Sequence, residues 1–481
     1  MNSLRDVPGF DPEAFEKVHA SGQQVTSIRI NPLKASMVNG VPIAIGRSIT
    51  NVTHDSRLTN VIASEAKQHD SQSSLRAERS NTTHELVPWT QFGYYLNQRP
   101  SFTFDPLFHA GCYYVQEASS MFLEQTLKQT VDLSKPLRIL DLSAAPGGKS
   151  THIQSLISKE SLLVSNEVIR SRANILKDNI IKWGCENVMV TNNDPKDFAK
   201  LENYFDVIVV DAPCSGSGLF RREPEAIVEW SENNVALCSQ RQQRILADVM
   251  PALKKDGVLI YSTCSYSKEE DEIISRWLTQ TLPVAYCPLH IDENWRITQS
   301  ENGYRFWPDK VKGEGFFICC FKKLEGEEVE VKGKVKAGIE TVTRKEKEVI
   351  EKWVRMGGFA FVKNENTIYA WPDSLVSDMN FILSRLRVIY SGVRVGEIMR
   401  DKLVPDHALA MSGIVNDSIN RVNVNYEQAI QYLQRKELKI DSSSTGWKLV
   451  TYSGHSLGWI NVLPNRINNY YPKELRILKD G

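Results

Sequence analysis

Through the middle of the chain, short apolar runs alternate with stretches of helical periodicity, and this alternation predicts the fold. Leu137, Ile139 and Leu140 follow Pro136 as a buried strand ending at Asp141. Leu162 to Ser165, Val188 to Val190, Phe205 to Val210 and Val258 to Ser262 repeat the signal. These runs end at Asn166-Glu167, near Asn193-Asp194, at Asp211, and just before Thr263-Cys264. Ile175, Leu176, Ile180 and Ile181 recur at helical spacing over Ser171 to Trp183, stopping at Gly184. A longer helix is predicted from about Val235 to Lys255, and another from Lys268. Later strands are predicted at Tyr304 to Trp307 and Gly315 to Phe321. Strands and helices in alternation give an α/β domain with a parallel sheet. Such sheets gather ligands at their strand ends, so Asp141, Glu167, Asp194, Asp211 and Cys264 are expected to converge.

The flanks differ. Residues 1 to about 45 mix a helix signal at Asp11 to Glu13 with a strand over Ser27 to Lys34. From Gly46 to about Glu85 the chain turns polar and cannot bury a core face, which predicts a mobile insertion. Charge alternates from about Leu324 to Lys352, as in a linker leading into a helix, and a small α+β region begins near Trp353. The expected divisions are 1–100 with the insertion at about 46–85, 101–323, 324–392 and 393–481.

Composition narrows the class. The 58 basic and 58 acidic residues cancel, so nucleic-acid affinity has to come from local patches. No apolar run reaches membrane-spanning length and the N-terminus lacks a signal pattern, so the cytoplasm is expected. Eight scattered cysteines without a C-x-x-C pair point away from a metal site and towards free thiols.

The candidate chemistry starts at Asp141 to Lys149, D-L-S-A-A-P-G-G-K, where a strand turns into a helix. Gly147 and Gly148 allow close approach of a ligand, and Pro146 stiffens the turn. Taken alone, three readings stay open: a cofactor loop, an NTPase phosphate loop with Ser143 in the first glycine position, or a plain connection. Two later stretches narrow them: D-A-P-C-S-G-S-G at Asp211 to Gly218 and Y-S-T-C-S at Tyr261 to Ser265. Three such stretches in this order, each at a strand end, resemble the RNA cytosine-C5 methyltransferases of the Nop2/NSUN/Sun (bacterial Fmu) family. The resemblance runs from about Arg29 to Lys322, and its C-terminal echo is similar to the bacterial 16S rRNA branch with a PUA-like module.

The resemblance implies a Rossmann-like S-adenosylmethionine-dependent methyltransferase with an N-terminal α+β extension and a C-terminal PUA-like region. It implies that Ser143, Ala144, Ala145, Pro146, Gly147, Gly148, Lys149, Glu167, Asp194 and Asp211 hold the cofactor. The N–H groups of Ala144 to Gly148 would meet its carboxylate, Glu167 its ribose and Asp194 its adenine.

Chemistry adds a second constraint. C5 of cytosine is a poor nucleophile, so a thiolate must first add to C6. Residue type leaves Cys214 and Cys264 both open, since DNA enzymes use the Pro-Cys pair. The resemblance selects Cys264 as nucleophile, with Cys214 aiding product release, Asp211 acting near N3 and Lys149 nearby.

Other positions carry double readings. Arg29 and Asn31 resemble an RNA-contacting pair but equally suit an edge strand. Gln116, Ser119 and Ser120 suit a cofactor buttress or a helix start. Phe220, Arg221 and Arg222 suit flanking nucleotides or a solvated patch. Ser143, Ser217 and Asp309 depart from the residues common in the family. The expected partner is RNA, rRNA before tRNA, in the context of a ribosomal subunit and with the chain a monomer. A non-catalytic assembly factor keeping the fold is the alternative.

Overall fold

The computed structural model describes residues 2–34, 37–38, 41–42, 85–326, 339–355, 357–440 and 444–479. The insertion expected at 46–85 lies, but for Glu85, outside the described residues, as does much of the expected linker.

Five parallel strands form the centre: β1 (Arg138–Asp141), β2 (Leu162–Asn166), β3 (Val188–Thr191), β4 (Phe205–Asp211) and β5 (Leu253–Thr263). Their spatial order is β3-β2-β1-β4-β5, so the winding reverses between β1 and β4. That reversal opens a crevice at the strand ends. A sixth strand, β6 (Phe316–Lys323), runs antiparallel to β5. The strands are apolar on both sides because both faces are covered. Along β4, Ile208 and Val210 enter one core while Val207 and Val209 enter the other.

Helices α1 (Gly148–Gln154), α2 (Arg170–Trp183), α3 (Glu232–Val249) and α4 (Glu272–Thr281) connect these strands. Gly184, at φ 92°, ends α2 as its sequence predicts. Helix α3 stops short of the predicted Lys255. Pro251 cannot donate the next helical hydrogen bond, and Ala252 and Leu253 turn into the core instead. Helix α4 starts at Glu272 rather than Lys268, because a turn closed by Glu270 N–H on the Ser267 carbonyl comes first.

The C-terminal half is fastened to this sheet. Strand β7 (Val388–Ser391) pairs antiparallel with β3 and extends the sheet past the division expected at 323. Asp378 from the same region accepts from Tyr204 Oη at 2.6 Å and pairs with Arg138 Nε at 2.6 Å. A four-stranded sheet follows, formed by Arg421–Asn423, Gly446–Tyr452, His455–Leu463 and Arg466–Asn469. Val450, Leu457 and Ile460 of this sheet share a core with Ile28 and Ile30.

Ile28 and Ile30 lie on the strand Thr26–Ile30, the central strand of a three-stranded sheet and not an edge. Arg29 and Asn31 are both fully buried, which overturns the expectation that they contact RNA. The Asn31 amide donates to the Gly111 and Trp183 carbonyls at 3.0 Å each and fixes the end of α2. Among the described residues no helix is long and apolar enough to cross a membrane.

Candidate active site

β4 and β5 are neighbours in parallel register, with Ser262 opposite Asp211. The segments that leave them therefore emerge side by side. They carry Pro213-Cys214-Ser215 and Cys264-Ser265, and the two sulfurs stand 3.2 Å apart. Beside them Lys149 Nζ meets Asp211 Oδ2 at 2.8 Å, while Ser262 Oγ donates to Asp211 Oδ1 at 2.7 Å. The ammonium also lies 5.2 Å from the centre of the Phe316 ring. Burial pulls the Lys149 pKa down, but Asp211, then Asp141 and Cys264, reverse this and hold it above its ordinary value. The Cys214 thiol is pushed well above its ordinary range by its hydrogen bond to Cys264, then by burial and by the charges of Cys264 and Glu270.

Glu270 has no place among the sequence candidates. In the sequence, Glu269 to Glu272 look like the solvated first turn of a helix. In the fold Glu270 is fully buried and accepts from Ser215 N at 2.8 Å, Ser215 Oγ at 2.5 Å, Ser265 Oγ at 2.6 Å and Gln242 Nε2 at 3.1 Å.

Gly218 is equally constrained. Its N–H donates to the Cys264 carbonyl at 2.9 Å and its carbonyl accepts from Gly315 at 3.2 Å. A Cβ there would lie 2.5 Å from the Gly315 oxygen and 2.7 Å from the Cys264 oxygen. Ser217 accepts from the Tyr266 N–H at 2.8 Å, so this departure from the family pattern ties the same two loops.

Arg221 does not face outward. It is buried, paired with Glu314 at 3.0 Å and donating to the Gly313 carbonyl at 2.6 Å, so its charge is already engaged inside the fold. Arg222 beside it is exposed.

On the other side of the crevice, Arg29 braces the loop of Gly147 and Gly148. Its guanidinium donates to Gln116 Oε1 at 2.8 Å, to the Gly148 carbonyl at 3.2 Å and to Thr151 Oγ1 at 2.5 Å. Gln116 thus takes the buttress role. Gly147, at φ 119°, supplies the turn into α1. The Ala144 N–H is bound to the Asn166 carbonyl at 2.8 Å, and Pro146 has none. The expected row of donors is therefore shorter, confined to Ala145, Gly147 and Gly148. The carbonyls of Ala145 and Pro146 are held from behind by Arg172 at 3.0 Å and Asn179 at 2.8 Å. Ser143 leads into this turn, partly exposed.

Glu167 and Asp194 stand at the ends of β2 and β3, where each caps its own turn. Glu167 takes the Ile169 N–H at 2.9 Å and Asp194 the Lys196 N–H at 3.2 Å. Asp141, fully buried at the end of β1, accepts from Ser150 Oγ at 2.7 Å through one oxygen. Its other oxygen has no partner among the described residues. Burial, only partly offset by Ser150 and Lys149, raises its pKa to about 7. Three adjacent strand ends thus present acids beside a glycine turn, one with an orphaned oxygen, and this donor set fits an amino acid joined to a nucleoside. Among the described residues there is no group of three or more metal-binding side chains. A cleft of about 1150 Å³ lies elsewhere, lined by Lys34, Ser155, Trp183, Arg355 and His455, and holds none of these groups.

Residues 128–322 match the family profile described as 16S rRNA methyltransferase RsmB/F. Residues 419–477 match the methyltransferase RsmF PUA domain, and residues 59–118 the N-terminal domain of 16S rRNA methyltransferase RsmF. Ribosomal RNA small subunit methyltransferase F of Pectobacterium atrosepticum is 29% identical over 420 residues, spanning 82% of this chain and 84% of its own. Its namesake in Psychromonas ingrahamii is 29% identical over 425 residues, with coverages of 83% and 87%. The crystal structure of PH0851 superposes with a TM-score of 0.53 at 25% identity, over 67% of this chain and 65% of that one. The sheet is accordingly a Rossmann-like methyltransferase fold with a C-terminal PUA domain, and fold and family imply S-adenosylmethionine as methyl donor. Residues 128–322 thus carry the match to RsmB/F methyltransferases, flanked by matches to the RsmF N-terminal and PUA domains, and the chain is an RNA methyltransferase.

Proposed function

We propose that the protein methylates C5 of a cytosine in ribosomal RNA through a covalent bond between Cys264 and C6. The observation that carries this reading is the pair of sulfurs 3.2 Å apart, flanked by the Lys149–Asp211 pair. The resemblance of the Thr263-Cys264 stretch assigns Cys264 as nucleophile, and the Cys214 sulfur, 3.2 Å away, is placed to hydrogen-bond to it. The Lys149 ammonium, whose own charge Cys264 helps to stabilise, favours that thiolate.

Addition of Cys264 Sγ to C6 makes C5 enamine-like, and Asp211, hydrogen-bonding on the N3 side, assists the addition. Bound S-adenosylmethionine supplies the electrophilic methyl group. Once carbon-bound, Cys264 no longer raises the Cys214 thiol. Cys214 then loses its proton to solvent and takes the one on C5. The C6–S bond breaks and the C5=C6 double bond returns. A target base within folded RNA has to leave its stack to reach Cys264.

For the cofactor, Ala145, Gly147 and Gly148 would meet the carboxylate through N–H groups, with Ser143, Ala144, Pro146 and Lys149 shaping the pocket. Glu167 would take the ribose hydroxyls, Asp194 the adenine amino group, and Asp211 would border the methyl donor.

The small-subunit rRNA methyltransferase names of the relatives support rRNA as substrate. The same proposal has the chain acting as a cytoplasmic monomer on a ribosomal subunit, with catalysis in 101–323 and RNA contacts in 393–481. Transfer of a labelled methyl group into small-subunit rRNA tests it. Cys264→Ala is expected to abolish transfer, and Cys214→Ala to leave a protein–RNA adduct that survives denaturation. An adduct that needs Cys214 and persists without Cys264 would reverse the assignment.

A further inference from the structure

We propose that Glu270 is a positioning residue that sets the separation of the two sulfurs. The inference rests on the reading that Cys264 and Cys214 act on one cytosine. The donors to its carboxylate come from three elements: Ser215 after β4, Ser265 after β5, and Gln242 on α3. Each serine is the chain neighbour of one cysteine. The carboxylate therefore closes a bridge from Cys214 through Ser215, Glu270 and Ser265 to Cys264, across the 3.2 Å gap.

Two observations separate this from ordinary packing. First, among the described residues no cation pairs with Glu270, whereas its neighbours Asp271 and Glu272 both hold Arg305, at 3.0 and 2.5 Å. A buried carboxylate held by neutral donors alone carries a desolvation cost that an apolar side chain would avoid. Second, four accepted hydrogen bonds use the acceptor capacity of both oxygens, leaving none for a base. Glu270 thus acts through the loops rather than on the cytosine.

The test measures the distance between the sulfurs directly, in the full-length protein. Diamide, an azodicarboxamide oxidant, takes two electrons and two protons from a thiol pair, becomes a hydrazine and leaves a disulfide. The rate at which the Cys214–Cys264 disulfide forms, read by peptide mass spectrometry, reports sulfur proximity and thiolate fraction. The charge of Glu270 raises the Cys214 thiol, so charge removal alone would speed the reaction.

Glu270→Ala is expected to slow it at least about tenfold, and to lower kcat about 10²-fold with KM for RNA little changed. Glu270→Gln keeps the shape, and its amide can donate to the serine oxygens, so it should restore a parental or faster rate. A parental rate in Glu270→Ala, or Gln as slow as Ala, overturns the proposal. Should Glu270→Ala not fold, Ser265→Ala serves: a rate several-fold below parental supports the bridge, and a parental rate sinks it. Adduct formation by Cys264→Ala would overturn the proposed function while leaving the cross-linking rates untouched, so the two failures are distinguishable.

Discussion

Along β1 to β3 the strand-end carboxylates secure turns of their own, Glu167 reaching Ile169 and Asp194 reaching Lys196, two residues on. After β4 the loop that carries Cys214 is pinned from far away, Ser215 by Glu270, 55 residues on, and Arg221 by Glu314, 93 residues on. In the first arrangement the acids cap locally, and the glycine turn is braced by Arg29 from 119 residues away. The second needs several long-range bonds to hold at once. A ligand that is the same in every turnover suits preformed turns, whereas a covalent step needs two atoms fixed to within a fraction of an ångström.

Substitutions can break or sharpen this contrast. The largest effect is expected on the sulfur-bearing side, at Arg305. Its guanidinium holds Asp271 at 3.0 Å and Glu272 at 2.5 Å, both fully buried, and donates to the Tyr266 carbonyl at 3.2 Å. Arg305→Met leaves two buried carboxylates without a cation and should cost about 3–5 kcal/mol in urea unfolding. A loss comparable to a surface substitution would erase the contrast.

On the cofactor side, Asp141 gives a pH signature. Its folded pKa of about 7 lies above the ordinary 3.8, so the folded protein holds this proton more tightly than the unfolded chain. The stability it contributes is complete below about pH 4 and is lost as pH rises through 7, on the order of 4 kcal/mol. Unfolding of the ligand-free protein between pH 4 and 8 should show that slope, and Asp141→Asn should flatten it.

The smallest effect concerns Gly218. Gly218→Ala forces a methyl group between the Gly315 and Cys264 carbonyls and should cost about 1–3 kcal/mol of stability. Methyl transfer should fall further than cofactor affinity, since Cys264 is the neighbour displaced. Equal losses in both would mean that the two sides are not independent.

The parallel strands were legible because each apolar run is bounded by breakers, and their ends put Asp141, Glu167, Asp194, Asp211 and Cys264 on one rim. The bonds that hold the rim were not. Glu270 sits in an acidic run that looks solvated, and only the fold brings Ser215 and Ser265 to it. Arg29 and Arg221 were misjudged for the same reason in reverse. An arginine in a polar-looking stretch suggests a surface, but each is buried against partners from another segment, Gln116 with Gly148 and Glu314 with Gly313. The end of α3 was overshot because helical periodicity outran the signal of a single proline, Pro251.

Strand β7 has a consequence for how the chain can be divided. By pairing with β3 it occupies a border whose N–H and C=O groups would otherwise stand open as a template for foreign strands. A fragment ending after β6 would keep every reactive group yet expose that border, inviting aggregation. The C-terminal half thus shields the border of the catalytic sheet as well as extending it.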